Sequence, residues 1–244
     1  MDATENVTAR HEDPVYVSHL IKALLRINNY KNKKFGATIA QQVYEQLISQ
    51  LFEGVLQPGN HLVELKLAQS LGVSTIPIRE ALIRMDQEGW VERRQSHSTT
   101  VCDFREPQKC RQLYALRLSL EEGAFYHLAD CVTDEQLTRI EDILTEIEAS
   151  VAKKDMLSYR IADAQLHLTV AEFAGGARLR EMFRPVLLQI FVMANPGNPP
   201  DIREQQGVSH RMLVEAIRGH QATQAAEFIK KHIMRQVYFH GFEI

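Results

Sequence analysis

Leu67-Ala68-Gln69-Ser70-Leu71-Gly72-Val73-Ser74-Thr75-Ile76-Pro77-Ile78-Arg79-Glu80-Ala81-Leu82 holds two helical segments on either side of a glycine. A helix-turn-helix needs a small residue on its first helix so that the second can approach, a glycine at the turn, and an apolar anchor on the second helix. Ala68, Gly72 and Ile78 supply these three. The spacing predicts a first helix over Leu65 to Leu71 and a second from Thr75 to about Glu88, with Ser74 placed to cap it, Pro77 tolerated in its first turn, and Gly89 stopping it. Trp90-Val91-Glu92-Arg93 and Thr99-Thr100-Val101-Cys102 then read as two short strands around the polar tip Gln95-Ser96-His97-Ser98, which makes the unit a winged one.

Upstream, Ile39, Val43, Leu47 and Leu51 mark a helix opening at Thr38 and ending before the turn Gln57-Pro58-Gly59-Asn60. Residues 1–35 form an extension, in which Val17, Leu20, Ile21, Leu24 and Leu25 outline a short amphipathic helix. No acidic residue lies between Pro14 and Tyr44, whereas Lys22, Arg26, Lys31, Lys33 and Lys34 do, so this stretch reads either as an arm that neutralises phosphates or as a solvated linker. Downstream of a head domain over 36–104, residues 105–244 are helical throughout. Periodic segments cover roughly 107–129, 133–153, 155–174, 177–193, 202–219 and 221–239. Thr133 with Gln136 makes a capping box, Gly175-Gly176 breaks a helix, and Asn195 to Pro200 forms a loop. The fold class expected is mostly α: a winged helix-turn-helix domain followed by an all-α six-helix bundle.

The chain has 244 residues, is 45% hydrophobic and carries a net charge of −3, which is ordinary globular composition. No segment has the apolar length of a membrane span, and the first residues lack the basic-then-apolar order of a secretory signal, so a cytoplasmic location without membrane contact is expected. Cys102, Cys110 and Cys131 are odd in number and form no C-x-x-C pair, which supports neither a disulfide framework nor a cysteine zinc knuckle. Between Phe35 and Asp103 five basic residues face eight acidic ones, an unusual balance for a nucleic-acid reader.

Within the helical region, Asp163 and His167 are four apart and share a helix face, while His210 and His232 lie among apolar residues on two other helices. One carboxylate and three imidazoles from three helices would make a divalent metal cage. Each histidine taken alone is more often a satisfied core residue than a ligand.

Gly54-Val55-Leu56-Gln57-Pro58-Gly59, the quoted run from Leu67 to Leu82 and the strands that follow resemble the N-terminal domain of the GntR superfamily. By that resemblance Arg79 is the main base-reading arginine, suited to guanine O6 and N7. Ser74 and Thr75 sit at the helix N-terminus where a phosphate is held, and Lys66, Arg93, Arg94 and His97 complete the DNA-facing set. Many relatives have a second arginine where this chain has Thr75, and a glycine-rich basic wing tip where it has Arg94 to Ser98. Fewer base contacts, or a different operator, are implied.

Arg117-x3-Glu121, Asp163-x3-His167, Ser209-His210 and Lys231-His232 resemble the FCD domain of FadR-type regulators, and six helices place it nearer the VanR-like branch. The resemblance implies a metal at Asp163, His167, His210 and His232, zinc or nickel by donor type, with Arg117 as anchor for a small carboxylate effector. The alternative role for Arg117 is a salt bridge to Glu121. The function implied is a homodimeric transcriptional regulator, a repressor by the commoner family behaviour, that binds a pseudo-palindromic double-stranded operator. The rival class is a metal-dependent enzyme acting on a small acid. No H-E-x-x-H, paired E-x-x-H or additional carboxylate placed as general base supports it, so no enzymatic activity is expected.

Overall fold

The computed structural model describes residues 38–94, 98–193 and 200–239. The N-terminal amphipathic segment with its basic arm, His97 at the wing tip, and the loop over 195–199 lie outside the described residues.

Helix α1 (Ile39–Phe52) opens at Thr38, whose hydroxyl accepts from the Gln41 backbone N–H at 3.1 Å, and it buries Val43, Leu47 and Leu51 as the periodicity predicts. The turn after it is closed by Asn60, whose side chain accepts from the Gln57 N–H at 2.9 Å. Strand β1 (His61–Leu62), not predicted from the sequence, follows. Two residues with one apolar side chain are too short for an alternating pattern to show.

Helix α2 (Glu64–Leu71) ends at Gly72, which turns in the left-handed region at φ 67° and ψ 30°, and α3 (Thr75–Gln87) begins three residues later. Ser74 occupies the N-cap of α3 but makes no side-chain capping bond, contrary to the cap predicted for it. This helix end is at the surface, where water can satisfy its first N–H groups. Strands β2 (Val91–Arg93) and β3 (Thr99–Val101) complete an antiparallel sheet in the order β1-β3-β2. Leu47, Ile48, Ile78, Leu82, Met85 and Trp90 close the head-domain core, all 0% exposed.

The helical part comprises α4 (Pro107–Cys131), α5 (Asp134–Lys153), α6 (Met156–Met193), α7 (Pro200–Arg218) and α8 (Ala222–Phe239). The Thr133–Gln136 capping box is present. Gly176, at φ 70° and ψ −174°, kinks α6 where the glycine pair was expected to interrupt it, giving six helical segments. Helix α4 packs on both α6 and α8, which carries its buried face to the centre of the bundle.

Aromatic and polar contacts at the end of the head domain build the place where the helical part attaches, through Gln189. Trp90 meets Phe104 edge-on, with ring centroids 5.6 Å apart. Glu88, at the end of α3, accepts from the Tyr44 hydroxyl at 2.5 Å and from the Trp90 indole N–H at 3.1 Å. Gln189 of α6 donates to the Glu88 backbone carbonyl at 2.6 Å.

A Cβ at Gly72 would meet nothing within 4 Å, so replacing this glycine carries only the conformational penalty of a positive φ. Gly72→Ala is expected to destabilise the head domain by about 1–2 kcal/mol in urea unfolding. An unchanged midpoint would show that the turn has a lower-energy alternative.

Candidate metal centre and DNA-facing surface

Asp163 and His167 lie one turn apart on α6, His210 comes from α7 and His232 from α8; all four are buried, with one ligand atom from each within 4.8 Å of the others. His210 Nε2 stands 2.9 Å from Asp163 Oδ1, and His167 Nε2 stands 3.7 Å from the same oxygen. Neither approach has hydrogen-bond geometry: among the described residues Asp163 Oδ1 and both ring nitrogens of His210 lack a hydrogen-bond partner. Buried polar atoms are rarely left this way. Metal–ligand bonds of about 2.0–2.2 Å set neighbouring ligand atoms roughly 3 Å apart, so the convergence fits a bound cation.

The rings are held from behind. His167 Nδ1 faces the Glu121 carboxylate and His232 Nδ1 lies 2.7 Å from Ser209 Oγ, which leaves the Nε2 atom of each ring turned inward. Such outer partners set tautomer and ring orientation. Burial alone would push the Asp163 carboxyl up, but its contacts with His167 and His210 outweigh that and hold it well below the usual carboxylate range. Burial likewise opposes a charged His167, yet Glu121 first, then Asp163, raises it to about 9. Burial, reinforced by the positive fields of His210, His167 and Arg117, keeps His232 far below its ordinary value, and therefore in the neutral form that ligates.

Arg117, 0% exposed, stands at the edge of the cage. Its Nε donates to Glu121 Oε2 at 2.7 Å, its Nη2 lies 3.3 Å from His167 Nε2, and its Nη1 donates to Gln236 Oε1 at 2.6 Å. The salt bridge to Glu121 and a position beside the metal ligands are thus both present. Two further residues belong to the site: Gln236, whose Nε2 is 3.1 Å from His232 Nε2, and Tyr159, hydrogen-bonded to Asp163. Each is one helical turn from a ligand, so the spacing rule that pairs Asp163 with His167 would have found them. His127 is exposed and His220 ends a helix at φ 52°, away from the cage; His240 is outside the described residues.

On the head domain, Lys66, Ser74, Arg79 and Arg94 are exposed while Thr75 and Arg93 are half-buried. Arg79 pairs with neither Glu80 nor Asp86, its neighbours on α3. Its Nη2 meets Glu64 Oε2 at 2.8 Å, and Glu64 Oε1 also reaches Arg93 Nη2 at 3.5 Å. Asp86 accepts instead from the Arg93 backbone N–H at 3.0 Å.

Residues 112–235 match the FCD domain family, and residues 39–101 match the bacterial regulatory proteins of the gntR family. The uncharacterized HTH-type transcriptional regulator YdhC of Bacillus subtilis is 27% identical over 59% of this chain and 65% of its own length, so the chain spans just under two thirds of that relative. The HTH-type transcriptional regulator McbR of Escherichia coli is 26% identical over 72% of this chain and 81% of its own. Among solved structures, E. coli McbR/YncC superposes with a TM-score of 0.68 over 84% of this chain and 98% of that one, at 20% identity, a likeness of fold.

Glu121→Gln should weaken zinc binding by about 10–100-fold in calorimetry, because the amide no longer fixes His167 as a carboxylate does. An unchanged affinity would show that His167 needs no support from Glu121.

Proposed function

The chain belongs to the FCD domain family and carries a gntR-family helix-turn-helix ahead of that domain, and from this premise we propose that it is a sequence-specific transcriptional regulator, a repressor, controlled by a small carboxylate. The observation that carries the reading is Arg79, exposed on α3 of the matched helix-turn-helix, where a recognition helix presents side chains to base edges. As a homodimer it would set two such helices against half-sites of a pseudo-palindromic operator. Lys66, Ser74, Thr75, Arg93, Arg94 and His97 are assigned to DNA contact with it. The relatives named above are regulators, and among the described residues the further carboxylate at the cage, Glu121, is tied to Arg117 and His167 and so is not free to act as a general base.

Asp163, His167, His210 and His232 would hold a zinc or nickel ion, which offers a coordination position to a carboxylate oxygen. Charge balance supports an anionic ligand. Asp163 and Glu121 contribute two negative charges and Arg117 one positive, so a divalent ion in place of the His167 proton leaves one positive charge unbalanced in a buried space. Arg117 supplies the planar fork that matches a carboxylate, and the Gln236 amide lies beside it. Helix α6 carries Asp163 and His167 at one end and Gln189, bonded to the last turn of the recognition helix, at the other. A ligand that biases α6 therefore biases the DNA head, by no more than its differential affinity for the two arrangements.

The test is selection of genomic fragments on wild type and on Arg79→Ala in parallel. Wild type is expected to enrich a short inverted repeat, and the variant to lose about 1–3 kcal/mol of affinity together with its sequence preference. Equal enrichment by both proteins, or none by wild type, would overturn the reading.

A further inference from the structure

Glu64 counts among the acidic residues that leave the head domain negative, and an acidic side chain on a DNA-facing surface repels phosphate. We propose that Glu64 is a positioning residue for base reading: it grips the Arg79 guanidinium by one edge and presents the opposite edge to guanine. This rests on the DNA-binding reading of the head domain.

Glu64 opens α2 and Arg79 lies in the second turn of α3, fifteen residues on, brought together by the turn at Gly72. Glu64 Oε2 accepts from Arg79 Nε at 3.0 Å and from Nη2 at 2.8 Å, while Oε1 accepts from Nε at 3.3 Å. The same carboxylate reaches Arg93 of β2, which ties it to the wing strand as well. The Glu64 side chain is 21% exposed and that of Arg79 is 58% exposed, so the carboxylate is the inner partner and the guanidinium the outer one.

A guanidinium has five N–H donors in a rigid fork. Glu64 takes the edge formed by Nε and one Nη2 hydrogen. The edge left over, Nη1 with the second Nη2 hydrogen, offers two near-parallel donors, the arrangement that guanine O6 and N7 accept. The arginine is also partly ordered before DNA arrives, so less side-chain freedom is lost on binding than for an untethered arginine. The negative charge meanwhile weakens attachment to any phosphate backbone. Both effects raise the ratio of specific to non-specific binding, the quantity a regulator needs.

The experiment measures, at one salt concentration, the anisotropy of the inverted repeat enriched by wild type and of a scrambled duplex of equal length, with wild type, Glu64→Ala and Glu64→Asp. A repeat carrying 7-deazaguanine at the contacted guanine removes the N7 acceptor. Glu64→Ala is expected to bind the repeat about tenfold more weakly and the scrambled duplex as tightly or more so, with a smaller penalty for 7-deazaguanine than wild type shows. Glu64→Asp should fall between, and all three proteins should unfold at the same urea midpoint. Tighter binding of both duplexes in equal proportion would make Glu64 a mere mask over Arg79 and overturn the proposal. So would an equal loss on both, or an undiminished 7-deazaguanine penalty. A wild type that prefers no sequence overturns the DNA-binding reading itself.

Discussion

The bundle is organised around ionisable groups that cannot be buried alone. Arg117 and Glu121 from α4, Asp163 and His167 from α6, His210 from α7 and His232 from α8 meet in a mostly aliphatic and aromatic interior. Transfer of one such group from water without a partner costs more than several buried methyl groups return. The four helices therefore have few permitted registers. A slip of α8 by one residue would rotate His232 by about 100° and carry it out of the cage. A divalent ion would satisfy the buried carboxylate oxygen and the converging imidazoles together, with its ligands already in place.

That constraint reaches the DNA head because one helix belongs to both regions. Helix α6 begins beside the cage, bends at Gly176, and passes under the head domain, where Gln189 bonds the Glu88 carbonyl. Glu88 is itself a junction, joining Tyr44 of α1, Trp90 and Arg84 at the C-terminal end of the recognition helix. Arg84 also lies over the Tyr44 ring, 3.8 Å from its centroid. A packed polar cluster thus lies between α6 and α3.

Local signals made most of the architecture legible. Thr38 and the Thr133–Gln136 box mark helix starts, Gly72 and Gly89 mark stops, and apolar periodicity locates the rest, because each depends on residues within one or two turns. The convergence of Asp163, His167, His210 and His232 was legible in part for the same reason, since Asp163 and His167 share a turn, and in part through the resemblance of the two later histidine segments to the FCD pattern. What stayed hidden depends on distant partners or on solvent. Strand β1 exists through its pairing with β3, in which Leu62 faces Thr99, 37 positions along the chain. The Glu64–Arg79 grip and the Gln189–Glu88 bond join residues 15 and 101 positions apart. Ser74 has the identity of a cap but an exposed helix end in place of a capping bond.

The claim on which the account turns is that a cation, and not hydrogen bonding alone, balances the buried cluster. The most direct measurement is thermal unfolding of one preparation, stripped with chelator and then returned to a graded series of zinc concentrations, beside Asp163→Asn treated identically. The account predicts a midpoint that rises with zinc and keeps rising after one equivalent, by about 2.7 kcal/mol of stability at a hundredfold excess over Kd, with the variant showing far less. Superimposable curves for stripped and zinc-supplied wild type would contradict it and leave the cluster a self-contained polar core.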